Sequence, residues 1–141
     1  MIKKAWAVWK GGFKEGGGTI STETGVLKDA PYGFKSRFEG GPGTNPEELI
    51  GAAHAGCFSM AFSVQLGEAG FTANSIETHA DITFEKLPDG FAITGSHLTV
   101  VASIPGIDAA KFTELANRAK AGCPVSKLLN AKITMDAKLA P

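Results

Sequence analysis

Two cysteines, Cys57 and Cys123, carry the only thiols in this sequence, and a long stretch of chain separates them. A thiolate is both a nucleophile and a metal ligand, so a pair of thiols can do redox or metal chemistry. Zinc is not expected, because His54 near Cys57 gives no recognisable ligand spacing. The pair is therefore redox-active, or it is two unrelated buried cysteines, since free cysteine is commonly buried.

The surroundings of the two thiols differ. Cys57 falls among small apolar residues in a helical pattern, where loss of water raises the pKa of a thiol and makes it inert. Cys123 directly precedes Pro124 at a predicted helix start, where unpaired backbone N–H groups and the helix dipole stabilise a thiolate. Helix electrostatics alone therefore predict that Cys123 is the more acidic thiol.

Three further side chains have types that suit thiol chemistry. His54 lies three residues before Cys57, so a thiol–imidazole pair is possible on a helix, although a buried core or interface histidine is the simpler interpretation. Arg37 would stabilise a thiolate if its guanidinium faced a desolvated thiol, and it is otherwise a surface arginine on a strand. Glu47 has a plain explanation as an acidic residue in the first turn of a helix.

The longest helical pattern, residues 45–65, carries Cys57 and must position it. Asn45 is a suitable N-cap, and Pro46 suits the first helical position. Apolar residues recur at spacings of three and four and predict one buried face: Leu49, Ala53, Cys57, Ala61 and Val64. The many small residues let another backbone approach. We expect a buried central helix, ending near Gly67 or Gly70, that holds the thiol against a partner element.

Strands are predicted in runs on both sides of this helix. They cover residues 2–10, 19–23 and 34–38, with a turn at 31–33, then residues 74–86 and 91–104 with a hairpin turn at 88–90, and finally 132–138. Two more helices are predicted at residues 109–121, capped by Asp108, and at 124–129. Runs of strands favour an α+β fold with antiparallel sheets over a parallel doubly wound sheet.

Composition narrows the class of protein. A chain of 141 residues with no linker fits a single domain, residues 1–141. The formal net charge of zero argues against a nucleic-acid partner or a polybasic membrane anchor. No run approaches the roughly 20 apolar residues of a membrane span, and no secretory signal precedes the first strand. We therefore expect a cytoplasmic protein without a metal or a cofactor.

The segment NPEELIGAAHAGCFSMAFS, followed later by AKAGCPVSKLL, closely resembles the OsmC/Ohr family (osmotically inducible protein C and organic hydroperoxide resistance). The block PYGFKSRFEGGPGTNPEELIGAAHAGCFSMA is similar to the OsmC branch in particular. The segment GTISTETGVL and the run IPGID at residues 104–108 agree with this assignment. The resemblance covers essentially the whole chain.

This resemblance implies a thiol-dependent peroxidase that reduces organic hydroperoxides, and hydrogen peroxide less well. It implies an OsmC-like fold in which antiparallel sheets enclose a long central helix, in an intertwined homodimer with active sites at the subunit interface. Cys57 matches the peroxidatic cysteine, Cys123 the resolving cysteine and Glu47 the family glutamate. Arg37 matches the OsmC-type arginine, whereas the Ohr branch takes its arginine from nearer the N-terminus, where this chain has only lysines.

The resemblance also implies a reaction. Arg37 stabilises the Cys57 thiolate and is held by Glu47 in a bidentate pair. Cys57 becomes a sulfenic acid, which condenses with Cys123 to a disulfide that an external dithiol, with a lipoyl-type dithiol as candidate, reduces. Candidate apolar contacts to the substrate are Phe38, Ile50, Phe58 and Met60.

The spacing of Glu47 and Cys57 along one helix would place them far apart for two residues of the same active site. Ten residues of unbroken helix rise about 15 Å. A shared site therefore needs Arg37 to span much of that distance, or a helix that begins later or bends, for which Gly51 and Gly56 give room. Two other functions stay open: a redox sensor or small-molecule binding protein with slow turnover, and a structural dimer with two inert cysteines.

Overall fold

Ten helices and strands follow one another along residues 1–141, all of which the computed structural model describes. In chain order they are β1 (Ala5–Lys10), β2 (Gly17–Thr22), β3 (Ala30–Tyr32), α1 (Phe34–Phe38), α2 (Pro46–Glu68), β4 (Ser75–Leu87), β5 (Gly90–Ser103), α3 (Ala109–Gly122), α4 (Pro124–Leu128) and β6 (Lys132–Leu139). The α+β class is confirmed. The chain forms two compact units, unit 1 (residues 1–49) and unit 2 (residues 50–141). The single domain expected over residues 1–141 stays a prediction.

Unit 1 contains an antiparallel sheet in the order β1-β2-β3. The two predicted strands within residues 2–10 and 19–23 are confirmed. Residues 31–33 were expected to form a turn, but Ala30–Tyr32 pairs with β2. The sheet tolerates Pro31 because β3 lies at its edge, where one N–H is not needed for pairing.

The segment 34–38, expected as a strand, is the helix α1. Ser36 explains its start, because the Ser36 hydroxyl accepts from the Gly33 N–H at 2.9 Å and donates to the Gly33 carbonyl at 3.0 Å. Phe34 and Phe38 then lie one turn apart, with ring centroids separated by 4.9 Å. A spacing of four residues fits one face of a helix and also one face of a strand, so five residues could not decide between them.

The predicted start of α2 is confirmed. The Asn45 side chain accepts from the Glu48 N–H at 2.8 Å, and Pro46 is the first helical residue. The Asn45 amide also donates to the Ser36 carbonyl at 3.2 Å, which ties α1 to this helix start. At the other end Gly70 has a φ of 86°, and the Phe71 N–H donates to the Leu66 carbonyl at 2.8 Å, as expected for a glycine C-cap.

The buried face of α2 is not the predicted one. Its buried residues in unit 2 are Gly51, His54, Phe58, Phe62 and Leu66. Ala53 and Val64 are exposed, and Cys57 is half-buried. Small and apolar residues occur on every side of this helix, so periodicity alone could not select the buried face. Gly51 allows a close approach, since a Cβ there would stand 3.3 Å from the Ala80 carbonyl of β4.

The expectation that no segment approaches a membrane span also needs correction. The helix α2 has 23 residues, and its most apolar 18-residue window has a mean hydropathy of 1.4. By length and composition it could therefore cross a membrane. Only 28% of that window is buried inside the structure. One such helix is weak evidence for a span, because the core helix of a soluble protein has the same properties.

Unit 2 contains a sheet in the order β4-β5-β6. The predicted hairpin between β4 and β5 is confirmed. However, β6 pairs with β5 in parallel, so this sheet is not wholly antiparallel as expected. The physical reason is the connection: α3 and α4 lie between β5 and β6 and carry the chain back along the sheet.

The core of unit 2 lies between this sheet and the helices. Alternate residues of β5 contribute Leu98, Val100 and Ala102. The helix α3 adds a buried face at helical spacing, made of Phe112, Leu115, Ala116 and Ala119. Asp108 caps α3 as predicted and accepts from the Lys111 N–H at 2.8 Å. Cys123, the residue before α4, belongs to the same core.

Candidate active site

The two thiols meet within unit 2. Cys57 lies on α2 and Cys123 at the start of α4, and neither is in a disulfide. Their side chains are hydrogen-bonded to each other. Cys123 is fully buried, whereas Cys57 is half-buried. The two cysteines are therefore neighbours in the fold, and their redox role stays a prediction.

The environment of Cys57 in unit 2 keeps it protonated. Burial is the largest effect and raises the pKa of the Cys57 thiol, and the hydrogen bond with Cys123 raises it further. A backbone hydrogen bond from the Val125 N–H lowers the pKa, but the net change is upward. Val125 is the second residue of α4, so a backbone donor at the start of this helix serves Cys57. The greater acidity expected for Cys123 stays a prediction.

His54 does not pair with a thiol. Its ring is fully buried, with Nδ1 2.7 Å from the Ser96 hydroxyl and Nε2 2.8 Å from the Ser126 hydroxyl. Because both ring nitrogens already have partners, the thiol–imidazole arrangement is wrong and the core histidine is confirmed. Burial lowers the pKa of His54, so the imidazole is neutral at pH 7. No motif links these three residues, and sequence analysis missed both serines.

Arg37 and Glu47 form the expected bidentate pair within unit 1. Arg37 Nη2 donates to Glu47 Oε1 at 2.7 Å, and Arg37 Nε lies 3.2 Å from both carboxylate oxygens. Glu47 is 8% exposed, so its carboxylate is held in place at the start of α2. Such a charge-assisted fork fixes the plane of the guanidinium as well as its position.

Arg37 also borders an aromatic cavity of about 210 Å³ in unit 1. The cavity is lined by Trp9, Phe13, Tyr32, Gly33, Phe34, Arg37 and Phe38. Trp9 packs edge-to-face on Tyr32 and Phe13 on Phe34, with ring centroids 5.3 and 5.2 Å apart. The Arg37 guanidinium lies 5.6 Å from the centroid of the Phe38 ring. An apolar group can therefore be enclosed beside a fixed positive charge.

The other predicted substrate contacts lie outside this cavity. Ile50 is half-buried, Met60 is exposed, and Phe58 is fully buried in the core of unit 2. Core packing explains Phe58 without a substrate. The role of these three residues as substrate contacts stays a prediction.

The predicted catalytic residues thus form two pairs, Arg37 with Glu47 and Cys57 with Cys123. The helix α2 begins at Pro46 and continues past Cys57 to Glu68, so the later start is not found. No group of three or more His, Cys, Asp or Glu side chains could hold a metal ion.

Comparison with known sequences identifies relatives over nearly the whole chain. A family model described as OsmC-like protein matches residues 38–138. Peroxiredoxin OsmC of Escherichia coli (strain K12) is 59% identical over 137 residues, which cover 97% of this chain and 96% of that protein. Organic hydroperoxide resistance protein OhrB of Bacillus subtilis is 31% identical over 123 residues, 86% of this chain and 88% of OhrB.

Solved structures agree. The crystal structure of Bacillus subtilis OhrB matches with a TM-score of 0.69 and 28% identity, covering 97% of this chain and 98% of OhrB. An OsmC-like protein from Mycoplasma pneumoniae has a TM-score of 0.77 at 16% identity over 100% of this chain and 99% of that one, and supports the fold alone. The chain belongs to the OsmC/Ohr family, with higher identity to its OsmC relative than to its Ohr relative.

Proposed function

We propose that this chain is a thiol-dependent peroxidase that reduces organic hydroperoxides, and hydrogen peroxide less well. Membership of the OsmC/Ohr family and the names of its relatives support this activity. The observation that carries it is the contact between Cys57 and Cys123, two thiols from distant parts of the sequence. A peroxidase that resolves its sulfenic acid within the protein needs a second thiol within reach, and this contact supplies one.

The proposed reaction has two steps on the protein. The Cys57 thiolate attacks the outer oxygen of the hydroperoxide, the O–O bond breaks, and the alcohol leaves after taking up a proton. Cys57 is then a sulfenic acid. The Cys123 sulfur attacks the Cys57 sulfur, the S–O bond breaks, and water leaves as the disulfide forms. An external dithiol, for which we propose a lipoyl-type dithiol, reduces the disulfide by exchange.

We assign activation of the thiol to Arg37. Unit 2 raises the pKa of Cys57, so formation of a thiolate needs a positive charge to offset the burial. A guanidinium stays charged at every physiological pH, and the Glu47 fork holds this one in a single orientation. Glu47 is thus proposed as the residue that orients Arg37.

The cavity beside Arg37 supports an organic substrate. Its walls are mostly aromatic, and transfer of an alkyl or aryl group from water to such walls is favourable. Hydrogen peroxide has no apolar part and gains nothing from them. We therefore propose that the organic group lies in this cavity and that hydrogen peroxide is the poorer substrate.

We also propose that the active form is a cytoplasmic homodimer in which α2 packs against a second copy. The residues Met60 and Val64 of α2 are 74% and 55% exposed, although both are apolar. Gly56 and Gly67 have open space where a side chain would be, which leaves room for a close-packed partner helix. In sedimentation, we expect a dimer that Val64→Glu weakens, while Thr113→Glu, at an exposed position of α3, does not. A monomeric wild-type protein would contradict the dimer.

The activity is tested by steady-state consumption of cumene hydroperoxide with a dithiol. Cys57→Ser is expected to lose turnover, while Cys123→Ser reduces about one equivalent of hydroperoxide and then stops. Undiminished turnover in Cys57→Ser would refute the proposal. Stoichiometric oxidation of the wild type without turnover would indicate the sensor, and thiols that resist alkylation at neutral pH would indicate the inert dimer.

A further inference from the structure

His54 joins three elements of unit 2 through its two ring nitrogens. Nδ1 is bonded to Ser96 on β5 and Nε2 to Ser126 on α4, while the ring itself belongs to α2. The distances of 2.7 and 2.8 Å are those of well-formed hydrogen bonds. The bond to Ser96 fixes the orientation of the ring, and the oriented ring then holds Ser126.

The two helical residues of this bridge each lie close in sequence to one of the two cysteines. His54 comes three residues before Cys57, and Ser126 three residues after Cys123. The first turn of α4 therefore contacts α2 in three ways: through the Cys123 thiol and the Val125 N–H to Cys57, and through the Ser126 hydroxyl to His54.

The helix α4 is anchored in the core by Cys123, which precedes it, and by the half-buried Val125. It is five residues long, and none of its residues is fully buried. Its apolar residue Leu128 is 78% exposed. Because Val125 is the one residue within α4 that packs against the core, the hydrogen bond between Ser126 and the buried imidazole adds a second, directional anchor to this short helix.

Resting on the proposed function, we propose that the His54–Ser126 hydrogen bond positions α4 so that Cys123 resolves the Cys57 sulfenic acid quickly. The bond acts on the second step, in which the S–S bond forms and water leaves. When it is lost, the Cys123 sulfur spends less time aligned with Cys57. The sulfenic acid then lasts longer and a second hydroperoxide oxidises it to a sulfinic acid.

The test compares Ser126→Ala with Ser126→Thr, which keeps the hydroxyl, and with Ser59→Ala. Ser59 is a matched control because it bonds α2 to Thr78 of β4 at 2.8 Å and does not involve α4. In single turnover with cumene hydroperoxide, Ser126→Ala should slow Cys57 oxidation less than it slows disulfide formation, since a looser α4 also weakens the hydrogen bond from the Val125 N–H to Cys57. It should slow disulfide formation about 2- to 10-fold, the factor of one ordinary hydrogen bond. Dimedone-trapped sulfenic acid and sulfinic acid should rise in parallel.

A second arm uses diamide, which links two thiols without a peroxide and so does not depend on peroxidase activity. Slower linkage in Ser126→Ala, near-normal linkage in Ser126→Thr and no change in Ser59→Ala would support the positioning role. Equal linkage in wild type and Ser126→Ala, or an equal defect in Ser59→Ala, would overturn it. If the diamide effect is found in a protein that ignores hydroperoxide, the proposed function fails and the positioning role stands.

Discussion

Unit 1 and unit 2 hold different halves of the proposed chemistry. Unit 1 presents a permanent charge, Arg37, fixed by Glu47 at the border of an aromatic cavity. Unit 2 presents two sulfur atoms and a neutral imidazole, all surrounded by core residues or by other uncharged groups. In the proposed mechanism, unit 1 supplies the positive charge and unit 2 supplies the nucleophile, Cys57, whose pKa is raised.

This difference shows how burial can serve a reactive thiol. In unit 2, burial lets Cys57 contact Cys123 but works against ionisation. A cation within the same core would carry its own cost of desolvation. Arg37 avoids much of that cost, because its side chain is 34% exposed and its partner carboxylate offsets the rest. In the proposed mechanism, separate stretches of sequence therefore supply the thiol pair and the charge.

The largest expected effect tests whether the Arg37 guanidinium stabilises the Cys57 thiolate. Arg37→Ala should lower kcat/KM for cumene hydroperoxide by about 10²- to 10³-fold, as expected when a preorganised charge is lost. The same variant should raise the pKa seen in iodoacetamide alkylation of Cys57. Arg118→Ala is the matched control, since it removes an equal charge from a surface pair with Glu114. Equal activity in the two variants would show that Arg37 has no role in catalysis.

A smaller effect is expected at the cavity. Phe13→Ala should lower kcat/KM for cumene hydroperoxide about 10-fold, because the aromatic group of the substrate then loses part of its burial. The rate with hydrogen peroxide should change little, because that substrate makes no use of the walls. Phe91→Ala is the control, as Phe91 is also exposed but stacks on Phe84 in unit 2. A parallel loss for both peroxides in Phe13→Ala would contradict a specificity role.

The smallest effect concerns the neutral imidazole of unit 2. Burial lowers the pKa of His54 below its ordinary 6.5, so the unfolded chain takes up this proton first as the pH falls. The contribution to stability is therefore complete above pH 6.5 and is lost below it, by at most about 1.4 kcal/mol per pH unit. Urea unfolding of His54→Gln should show a shallower loss between pH 6.5 and 5. His79→Gln, at an exposed histidine, is the matched control, and an equal change of slope in the two variants would contradict the assignment to His54.

Sequence alone predicted those elements whose ends carry their own signals. Asn45 and Pro46 fix the start of α2, and Asp108 that of α3, through contacts within one turn. Strict alternation predicted β4 and β5, because each strand has one face toward the core. The Arg37–Glu47 pair and both cysteines were predicted as partners from the family resemblance, and the structure shows both contacts.

The remaining features depend on contacts that no local pattern records. The direction of β6 follows from the path of α3 and α4, which alternation within β6 does not reveal. Five residues were too few to separate α1 from a strand. Ser96 and Ser126 lie 42 and 72 residues from His54, and a serine in a helix or a strand is unremarkable until its partner is known.

The crossover between β5 and β6 has a consequence for how the thiol pair arises during folding. Parallel pairing of β6 with β5 joins segments far apart in the chain, and such contacts form late. Cys123 lies within that crossover, so it reaches Cys57 only when the crossover closes, whereas α2 can form locally. During refolding, we expect the far-UV helical signal to recover before diamide can link the thiols. A nascent chain would then carry two separate cysteines, and the redox pair would be a property of the finished fold.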